Sequence, residues 1–141
     1  MKVFVAASYS SQVNYETGEV YAEYKEWLEN TLETIERCGH TVFCALRADQ
    51  YKINNANPAT AFSLDMKHIE DSEVLIALLN DTPSAGVQTE IGVAIALRKQ
   101  VFLAHLPEHD LSYFNAAMLK ADVVQELSLP INSEILQQSI L

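Results

Sequence analysis

The sequence has 141 residues, 49% of them hydrophobic, which suits one domain with a substantial buried core and leaves little room for a second. Nine basic and 19 acidic side chains give a formal net charge of −10, which argues against nucleic acid or an anionic membrane surface as a partner. No apolar run approaches the ~20 residues of a membrane span, and the opening run turns polar too early for a signal peptide. We therefore expect a single domain, residues 1–141, in which local donors hold any anionic ligand.

The first half of the chain predicts two strands around a long helix. Residues 3–7 form a short apolar run that ends in a polar loop, as a buried strand would. Apolar side chains then recur at threes and fours from residue 21 to 35, and Gly39 stands where a helix needs a left-handed cap. Residues 41–46 predict a second strand. The polar stretch 47–60 is too long for an ordinary connection and is interpreted as a functional flap.

The second half alternates between helices and strands. Phe62, Met66 and Ile69 mark a short helix, and the further elements are predicted as a strand at 74–79, a helix at 87–97, strands at 101–106 and 123–127, and a last helix at 133–141. This alternation predicts an α/β fold with a flavodoxin-like, doubly wound, five-stranded and mostly parallel sheet that carries helices on both faces. Ligands of such sheets bind beyond the carboxyl ends of the strands.

Cysteine and histidine spacing predicts no metal site. Cys38 and Cys44 form no C-x-x-C motif and have no further cysteine to join them, so we expect free thiols in a reducing cytoplasm. His105 and His109 are four residues apart, but Pro107 between them argues against a helical metal pair.

Glu90 lies where a catalytic acid could be placed. It follows Val87 by three residues and precedes Ala94 by four, so it shares the inward stripe of an apolar helix. Burial would raise its pKa, while the helix N-terminus would lower it. The alternative is a capping acid paired with Thr89, Gln88 or a backbone amide.

Asp65 repeats this pattern on the preceding helix, between Phe62 and Ile69. Two inward acids on consecutive helices could divide nucleophilic and acid/base work between them. The alternative is a salt bridge from Asp65 to Lys67 or Arg47.

Two loops offer ligand donors at the predicted end of the sheet. The sequence P-S-A-G, with Ser84 and Gly86, precedes a helix N-terminus and could hold an anion or sugar hydroxyls, although it is not a Walker motif. Ser8, Ser10 and Ser11 follow the first strand and offer similar donors, with turn formation as the alternative.

The residues just described resemble a known family. The run D-M-K-H-I-E-D-S-E-V-L-I-A-L-L, followed by P-S-A-G-V-Q-T-E-I-G-V-A-I-A-L, is similar to the core of the nucleoside 2-deoxyribosyltransferases and the related 2'-deoxynucleoside 5'-phosphate N-hydrolases. The opening K-V-F-V-A-A-S-Y-S matches their first strand and loop. The most diagnostic piece is the G-x-x-x-E-x-G element from Gly86 to Gly92.

The resemblance implies roles for these residues. Glu90 would be the nucleophile that attacks the anomeric carbon, and Asp65 the acid that binds or protonates the departing base. Ser84 matches a phosphate-holding serine of the N-hydrolase branch, which favours a hydrolase of nucleotides slightly over a transferase. No cofactor is implied. A subunit partner is implied, because family members complete the pocket from a neighbouring chain.

The sequence departs from the family pattern at two positions. The family tyrosine on the first strand, whose hydroxyl touches the nucleophile, is replaced here by Phe4, and Tyr9 is the candidate to substitute for it. The subunit-contributed Ser or Asn aligns with Ala116, while Asn115 stands one step earlier. The intersubunit contact is therefore either shifted to Asn115, which is the substrate-binding candidate here, or lost.

We therefore expect a cytoplasmic homodimer or higher homo-oligomer that cleaves or exchanges the N-glycosidic bond of a nucleoside or nucleoside 5'-monophosphate. The alternative is a non-catalytic nucleotide-binding or sensing module on the same fold.

Overall fold

The computed structural model describes residues 1–53, 57–80 and 84–140. Seven strands lie in that part of the chain: β1 (Lys2–Ala7), β2 (Val13–Asn14), β3 (Glu19–Val20), β4 (Thr41–Phe43), β5 (Val74–Leu78), β6 (Gln100–His105) and β7 (Gln125–Ser128). The α-helices described are α1 (Ala22–Arg37), α2 (Ala45–Ala48), α3 (Pro58–Asp71), α4 (Ala85–Ala96), α5 (Tyr113–Lys120) and α6 (Ser133–Ser139).

The main sheet has five strands in the order β4-β1-β5-β6-β7, and all its neighbouring pairs are parallel. β2 and β3 form a separate antiparallel hairpin. After β1 the chain forms β4 on one side of β1, and it then crosses to form β5 on the other side. The direction of strand order therefore switches at β1. The predicted flavodoxin-like, five-stranded sheet is confirmed, and the site is expected beyond the carboxyl ends of β4, β1 and β5.

Two apolar layers cover the two faces of this sheet. Alternate residues of β1 and β5 point to opposite sides, as the period of a strand requires. Val5 and Ile76 pack in the layer that includes the buried face of α1, whereas Phe4 and Ala77 pack in the layer that includes the buried face of α4. Helices therefore cover both faces, and the α4 layer is the one that carries the predicted acids.

Several elements begin or end differently from the prediction. The second strand stops at Phe43, and the chain turns at once into α2, because Cys44 and Leu46 are buried in the apolar layer that also holds α1 instead of continuing the sheet. The helix over α3 is longer than predicted because Asn57 caps it and Pro58 suits its first turn. The hairpin β2–β3 and α5 were not predicted. Gly39 does adopt a left-handed conformation, with φ of 92°.

The segment after β4 is attached firmly to the rest of the domain. The Arg47 guanidinium donates hydrogen bonds of 3.0–3.2 Å to both Glu29 and Glu36 of α1. The Tyr51 hydroxyl also donates to Glu29, and the Tyr51 carbonyl accepts from the backbone N–H of Val20 at 2.9 Å. Part of the predicted flap is therefore an ordered turn, while residues 54–56 lie outside the described part.

We expect Arg47→Met to lower the free energy of unfolding by about 1–2 kcal/mol, because Glu29 and Glu36 of α1, whose side chains are 30% and 39% exposed, lose their charged donor. Urea denaturation of the purified variant measures this loss. Arg37→Met is the matched control: Arg37 pairs with the exposed Glu33 at the end of α1, and we expect a loss below about 0.5 kcal/mol. Equal losses in the two variants would contradict the anchoring role of Arg47.

Both cysteines are free, as predicted, and Cys44 is buried. Across the ranges described, no helix is long and apolar enough to cross a membrane.

Candidate active site

Glu90 of α4 and Asp65 of α3 meet at the carboxyl end of β1. Their carboxyl groups share a hydrogen bond, and both side chains are partly buried. The contact follows from the packing of α3 against α4, which places two inward-facing helix positions side by side. The structure therefore brings together the two acids that the helical spacing predicted.

The alternatives considered for these acids are not what the structure shows. Ser84, not Glu90, caps α4, since its Oγ accepts from the backbone N–H of Val87 at 3.2 Å. Thr89 donates to the Ala85 carbonyl, and Lys67 pairs with Asp71. Arg47 pairs with α1. Asp65 and Glu90 thus face each other instead of a cation.

A small cavity of about 130 Å³ opens above this pair. Its walls come from β1 and the residues after it, from α2 and from the first turns of α4, which converge at the switch in strand order. Besides the two acids, the residues that line it are Phe4, Val5, Ala7, Tyr9, Ala45, Leu46, Ser84, Gly86 and Val87. A mostly apolar pocket with a few convergent polar groups is typical of a small-molecule site.

A second cavity of about 420 Å³ shares three lining residues with the first: Tyr9, Ala45 and Asp65. Its other lining residues are Phe43, Ala48, Asp49, Ile53, Ala61, Leu64 and His68. The rings of Phe43 and His68 stack, with centroids 3.6 Å apart and planes 10° from parallel. The second cavity is large enough for a planar heterocycle, and the first is lined by both Glu90 and Asp65.

Burial and mutual repulsion perturb the two acids. Burial raises the pKa of Glu90 to about 8, and the charge of Asp65 and the hydrogen bond that protonated Glu90 donates to Asp65 add to the effect. The pKa of Asp65 is raised to about 6, by burial first and by the charge of Asp49 second, while the bond to Glu90 opposes the shift. Because the carboxyls are hydrogen-bonded, protons leave them in two steps, and near neutral pH the pair retains one proton.

A singly protonated pair can perform two tasks at once. One carboxyl is ionised and can act as a nucleophile, while the other carries a proton that it can give to a leaving group. The higher pKa of Glu90 places the retained proton on Glu90 in the free protein, so Glu90 becomes a carboxylate by passing that proton across the hydrogen bond to Asp65.

The family assignment rests on a direct comparison. The family model described as "Nucleoside 2-deoxyribosyltransferase" matches residues 17–132. The chain belongs to the nucleoside 2-deoxyribosyltransferase family. The resemblance found in the sequence is thereby confirmed, and the chemistry of this family is cleavage or transfer of the N-glycosidic bond.

Solved structures share the same fold at low sequence identity. The CMP N-glycosidase BcmB of Clostridium botulinum is 22% identical, with both chains covered completely and a TM-score of 0.66. The 2-deoxyribosyltransferase of Bacillus psychrosaccharolyticus is 17% identical over 81% of this chain and 79% of that one, with a TM-score of 0.64. The protein BlsM is 23% identical over 92% and 81%, with a TM-score of 0.73. A comparison with curated proteins gives no significant match.

Phe4, which stands where the sequence comparison expects a tyrosine, lies in the wall of the small cavity. Phe4 lines the cavity beside Glu90, is 1% exposed, and packs against Phe43 with ring centroids 5.5 Å apart. Tyr9 lines both cavities, and burial and the nearby Asp49 charge raise its pKa to about 12. Tyr9 therefore brings a neutral phenol to the site that Phe4 cannot supply.

Some of the predicted loop residues line the small cavity and others do not. Ser84 and Gly86 line the small cavity, and a Cβ added at Gly86 would make only an ordinary 3.8 Å contact with Ser84 Oγ. Ser8 is buried between two lining residues without lining either cavity. The Ser10 side chain lies outside the described part, as do residues 81–83 of the loop before α4.

Asn115 lies apart from both cavities. It is fully buried, and its amide exchanges two hydrogen bonds of 2.9 Å with the amide of Gln88. The Ser112 hydroxyl also donates to Asn115 Oδ1 at 2.9 Å. Within one chain, Asn115 therefore holds α5 against α4, and its predicted binding role stays a prediction.

Sequence reasoning missed three polar or aromatic side chains of the second cavity: Phe43, Asp49 and His68. Phe43 looked like an ordinary strand residue, and His68 had no ligand spacing. Asp49 lay in the stretch interpreted as a flap, so a polar loop too long for a connection was the signal that could have identified it.

Proposed function

We propose that this protein cleaves the N-glycosidic bond of a nucleoside or nucleoside 5'-monophosphate, with Glu90 as the nucleophile and Asp65 as the general acid. The observation that carries the proposal is the hydrogen-bonded Glu90–Asp65 pair at the floor of a cavity that continues into a larger, largely apolar one. Family membership supports the reaction class.

The reaction proceeds as a double displacement. A carboxylate oxygen of Glu90 attacks the anomeric carbon, the C–N bond breaks, and its electron pair remains on the base nitrogen. Asp65 gives its proton to the departing base. Water then attacks the anomeric carbon, its proton passes to the Asp65 carboxylate, and Glu90 is released. A second base in place of water would make the protein a transferase.

Hydrolysis is favoured slightly over transfer because Ser84 and the first turn of α4 offer donors for a 5'-phosphate. Two of the structural neighbours are named for the two reactions, one as a CMP N-glycosidase and one as a 2-deoxyribosyltransferase.

Tyr9 is proposed to donate to the sugar. The roles of Ser8 and Ser10 as further donors stay predictions from the sequence. No metal or organic cofactor enters this chemistry.

We expect Ser84→Ala to raise KM for a nucleoside 5'-monophosphate about 10-fold while leaving KM for the matching nucleoside within about two-fold, since one phosphate donor is lost. The variant also loses a helix cap, which we expect to lower the free energy of unfolding by about 1 kcal/mol. Steady-state kinetics on a matched nucleotide and nucleoside checks the first effect. Ser84→Asp keeps the cap but adds a charge, and it should exclude the nucleotide more strongly than Ser84→Ala does.

A homo-oligomer is also proposed, with Asn115 near the contact. The first turn of α5 exposes large aromatic side chains, Tyr113 at 90% and Phe114 at 68%, and α3 exposes Phe62 at 59%. Tyr113 and Phe114 are neighbours on α5, and an exposed apolar patch is typical of a surface that a partner covers.

The proposed function is tested by incubating the protein with nucleosides and their 5'-monophosphates, in both ribo and 2-deoxyribo forms, and detecting free base by chromatography. We expect base release from at least one member and none with Glu90→Ala. Binding without release from any member, even with an acceptor base added, would favour the nucleotide-sensing alternative.

A further inference from the structure

We propose that His105 is a pH-sensitive switch, whose charged imidazole attaches the connection between β6 and α5 to β7 and whose neutral form releases it. The connection comprises residues 106–111, which lead from the end of β6 to the cap of α5. His105 lines neither of the two cavities that contain the acids, so the inference does not depend on the proposed reaction.

Both ring nitrogens of His105 lie within hydrogen-bond distance of oxygen atoms. Nε2 is 2.9 Å from a carboxylate oxygen of Glu126 on β7. Nδ1 is 2.9 Å from the Leu106 carbonyl and 3.1 Å from the His109 carbonyl. Carbonyl and carboxylate oxygens only accept hydrogen bonds, whereas a neutral imidazole carries a proton on one nitrogen alone. Only the charged ring, with a proton on each nitrogen, donates on both sides.

The ring is mostly buried, which makes an unmatched nitrogen costly. The His105 side chain is 14% exposed, against 54% for Glu126. In the neutral ring, the lone pair of one nitrogen would face an oxygen acceptor with little water between them. Loss of the proton therefore removes one of the two attachments and replaces it with a repulsive contact.

Glu126 is the charged group that faces the ring from a neighbouring strand. On the other side of β6, the end of β5 presents Leu78 and Leu79, which carry no charge. Burial alone would lower the pKa of His105, but the bonds to Glu126 and to the two carbonyls outweigh it, so the pKa lies above the ordinary histidine value. A raised native pKa stabilises the attachment at lower pH, and this stabilisation is lost as the pH rises through the native pKa.

Both ends of the connection are held by bonds that do not need this proton. The Leu129 N–H donates to the His105 carbonyl at 2.9 Å, which fixes the end of β6. Ser112 Oγ accepts from the Asn115 N–H at 3.2 Å and donates to Asn115 Oδ1 at 2.9 Å, which fixes the start of α5. The release is therefore confined to the connection, while β6 and α5 stay in place.

The connection crosses from one face of the sheet to the other. Leu106 packs against the apolar layer that includes α1, and Leu111 packs against the layer that includes α4. The His109 N–H donates at 3.0 Å to the Leu106 carbonyl, which is also bonded to His105. Detachment of the ring therefore loosens a turn that covers part of both layers, and we expect apolar surface to be exposed there at alkaline pH.

The first measurement is an NMR titration of the histidine ring protons, with the His105 signal assigned by its absence from His105→Gln. We expect the His105 midpoint to lie above the ordinary histidine value and those of His40 and His68 below it, because burial lowers the pKa of both. Glu126→Gln should lower the His105 midpoint, since the carboxylate partner is lost. The matched control, Glu108→Gln, removes an exposed acid from the connection itself and should change the midpoint much less.

Amide exchange tests the release of the connection directly. Protection is the ratio of the intrinsic exchange rate at each pH to the observed rate. For the His109 N–H we expect protection to fall about 10-fold as the pH rises through the His105 midpoint, because a charged donor is lost. The fall should begin at lower pH in Glu126→Gln. The Ala116 N–H, which donates to the Ser112 carbonyl in α5, should keep its protection.

A His105 midpoint at or below the ordinary histidine value would overturn the inference, as would His109 protection that does not follow that midpoint. An equal loss of protection at Ala116 would also overturn it, because α5 would then open together with the connection. Neither measurement uses a substrate, so the result stands apart from success or failure of the proposed reaction.

Discussion

Replacement of Glu90 by glutamine is expected to lower kcat/KM for base release by at least ~10⁴-fold. The amide has nearly the same shape and can still hydrogen-bond to Asp65, but it is a poor nucleophile toward the anomeric carbon. Single-turnover measurement of base release with the best substrate checks this expectation. The variant should remain folded.

The thermal stability of Glu90→Gln provides an internal control. In the wild type, Glu90 of the native protein stays protonated up to about pH 8, whereas in the unfolded chain it loses its proton at the ordinary pKa of a glutamate. Between these two pH values the native state binds more protons than the unfolded state. The free energy of unfolding therefore falls as the pH rises through that range. Glu90→Gln removes this decline, and we expect it to melt at the same temperature or higher at pH 8. A large loss of activity together with a lower melting temperature would point to misfolding instead of a missing nucleophile.

A smaller side chain at the same position permits chemical rescue. Glu90→Ala leaves space beside Asp65, and azide at high concentration should restore base release by attacking the anomeric carbon from the side that Glu90 occupied. The product expected is a glycosyl azide of inverted configuration, which NMR identifies. Glu73→Ala, an exposed acid away from both cavities, should show full activity and no azide effect.

Asp65→Asn is expected to lower kcat by about 10²- to 10⁴-fold and to change the shape of the pH profile. In the wild type, activity requires one proton on the Glu90–Asp65 pair. It should be lost below about pH 6, where a second proton neutralises the nucleophile, and above about pH 8, where the last proton leaves. The kcat/KM profile of the wild type should therefore be bell-shaped.

In Asp65→Asn the alkaline limb should disappear, because activity then requires only that Glu90 be ionised. The remaining limb should rise with pH through a Glu90 pKa lower than in the wild type, since the neighbouring charge and hydrogen bond that raised it are gone. A substrate that already carries a positive charge on the base, such as 7-methylguanosine, needs no proton from Asp65 and should lose far less activity. An equal loss with charged and neutral bases would contradict the acid role.

The sequence predicted the scaffold and the inward positions of Glu90 and Asp65 because both leave periodic signals. The apolar strands and the stripe on α4 repeat with the spacing of their elements, and Glu90 interrupts that stripe at one position. Asp65 was identified by the same reasoning, although Phe62, one of its two apolar markers, is exposed. Ile69 alone marks the inward face there, since it is 1% exposed.

The larger cavity could not be predicted in the same way. It depends on the early end of β4 and the turn after α2, where Gln50 and Tyr51 adopt positive φ angles of 56° and 61°. Neither residue type favours that conformation, which is maintained by tertiary contacts such as the bond from Tyr51 to Glu29. Local propensity therefore gave no signal for the position of Asp49.

Asn115 illustrates a different difficulty. Its place one step from the aligned position suggested an intersubunit contact, whereas within the chain its polar groups bond to Gln88 and Ser112. A buried amide needs such partners wherever it lies, and sequence spacing does not tell which ones it will find.

The proposed mechanism requires that the sugar become covalently attached to Glu90. The most direct test is rapid acid quenching of the wild type with its best substrate, followed by proteolysis and mass spectrometry of the peptide that contains Glu90. We expect a glycosyl adduct on Glu90 that forms before base release reaches its steady rate and is absent from Glu90→Gln. An adduct on another residue, or base release that Glu90→Gln leaves unchanged, would contradict the account.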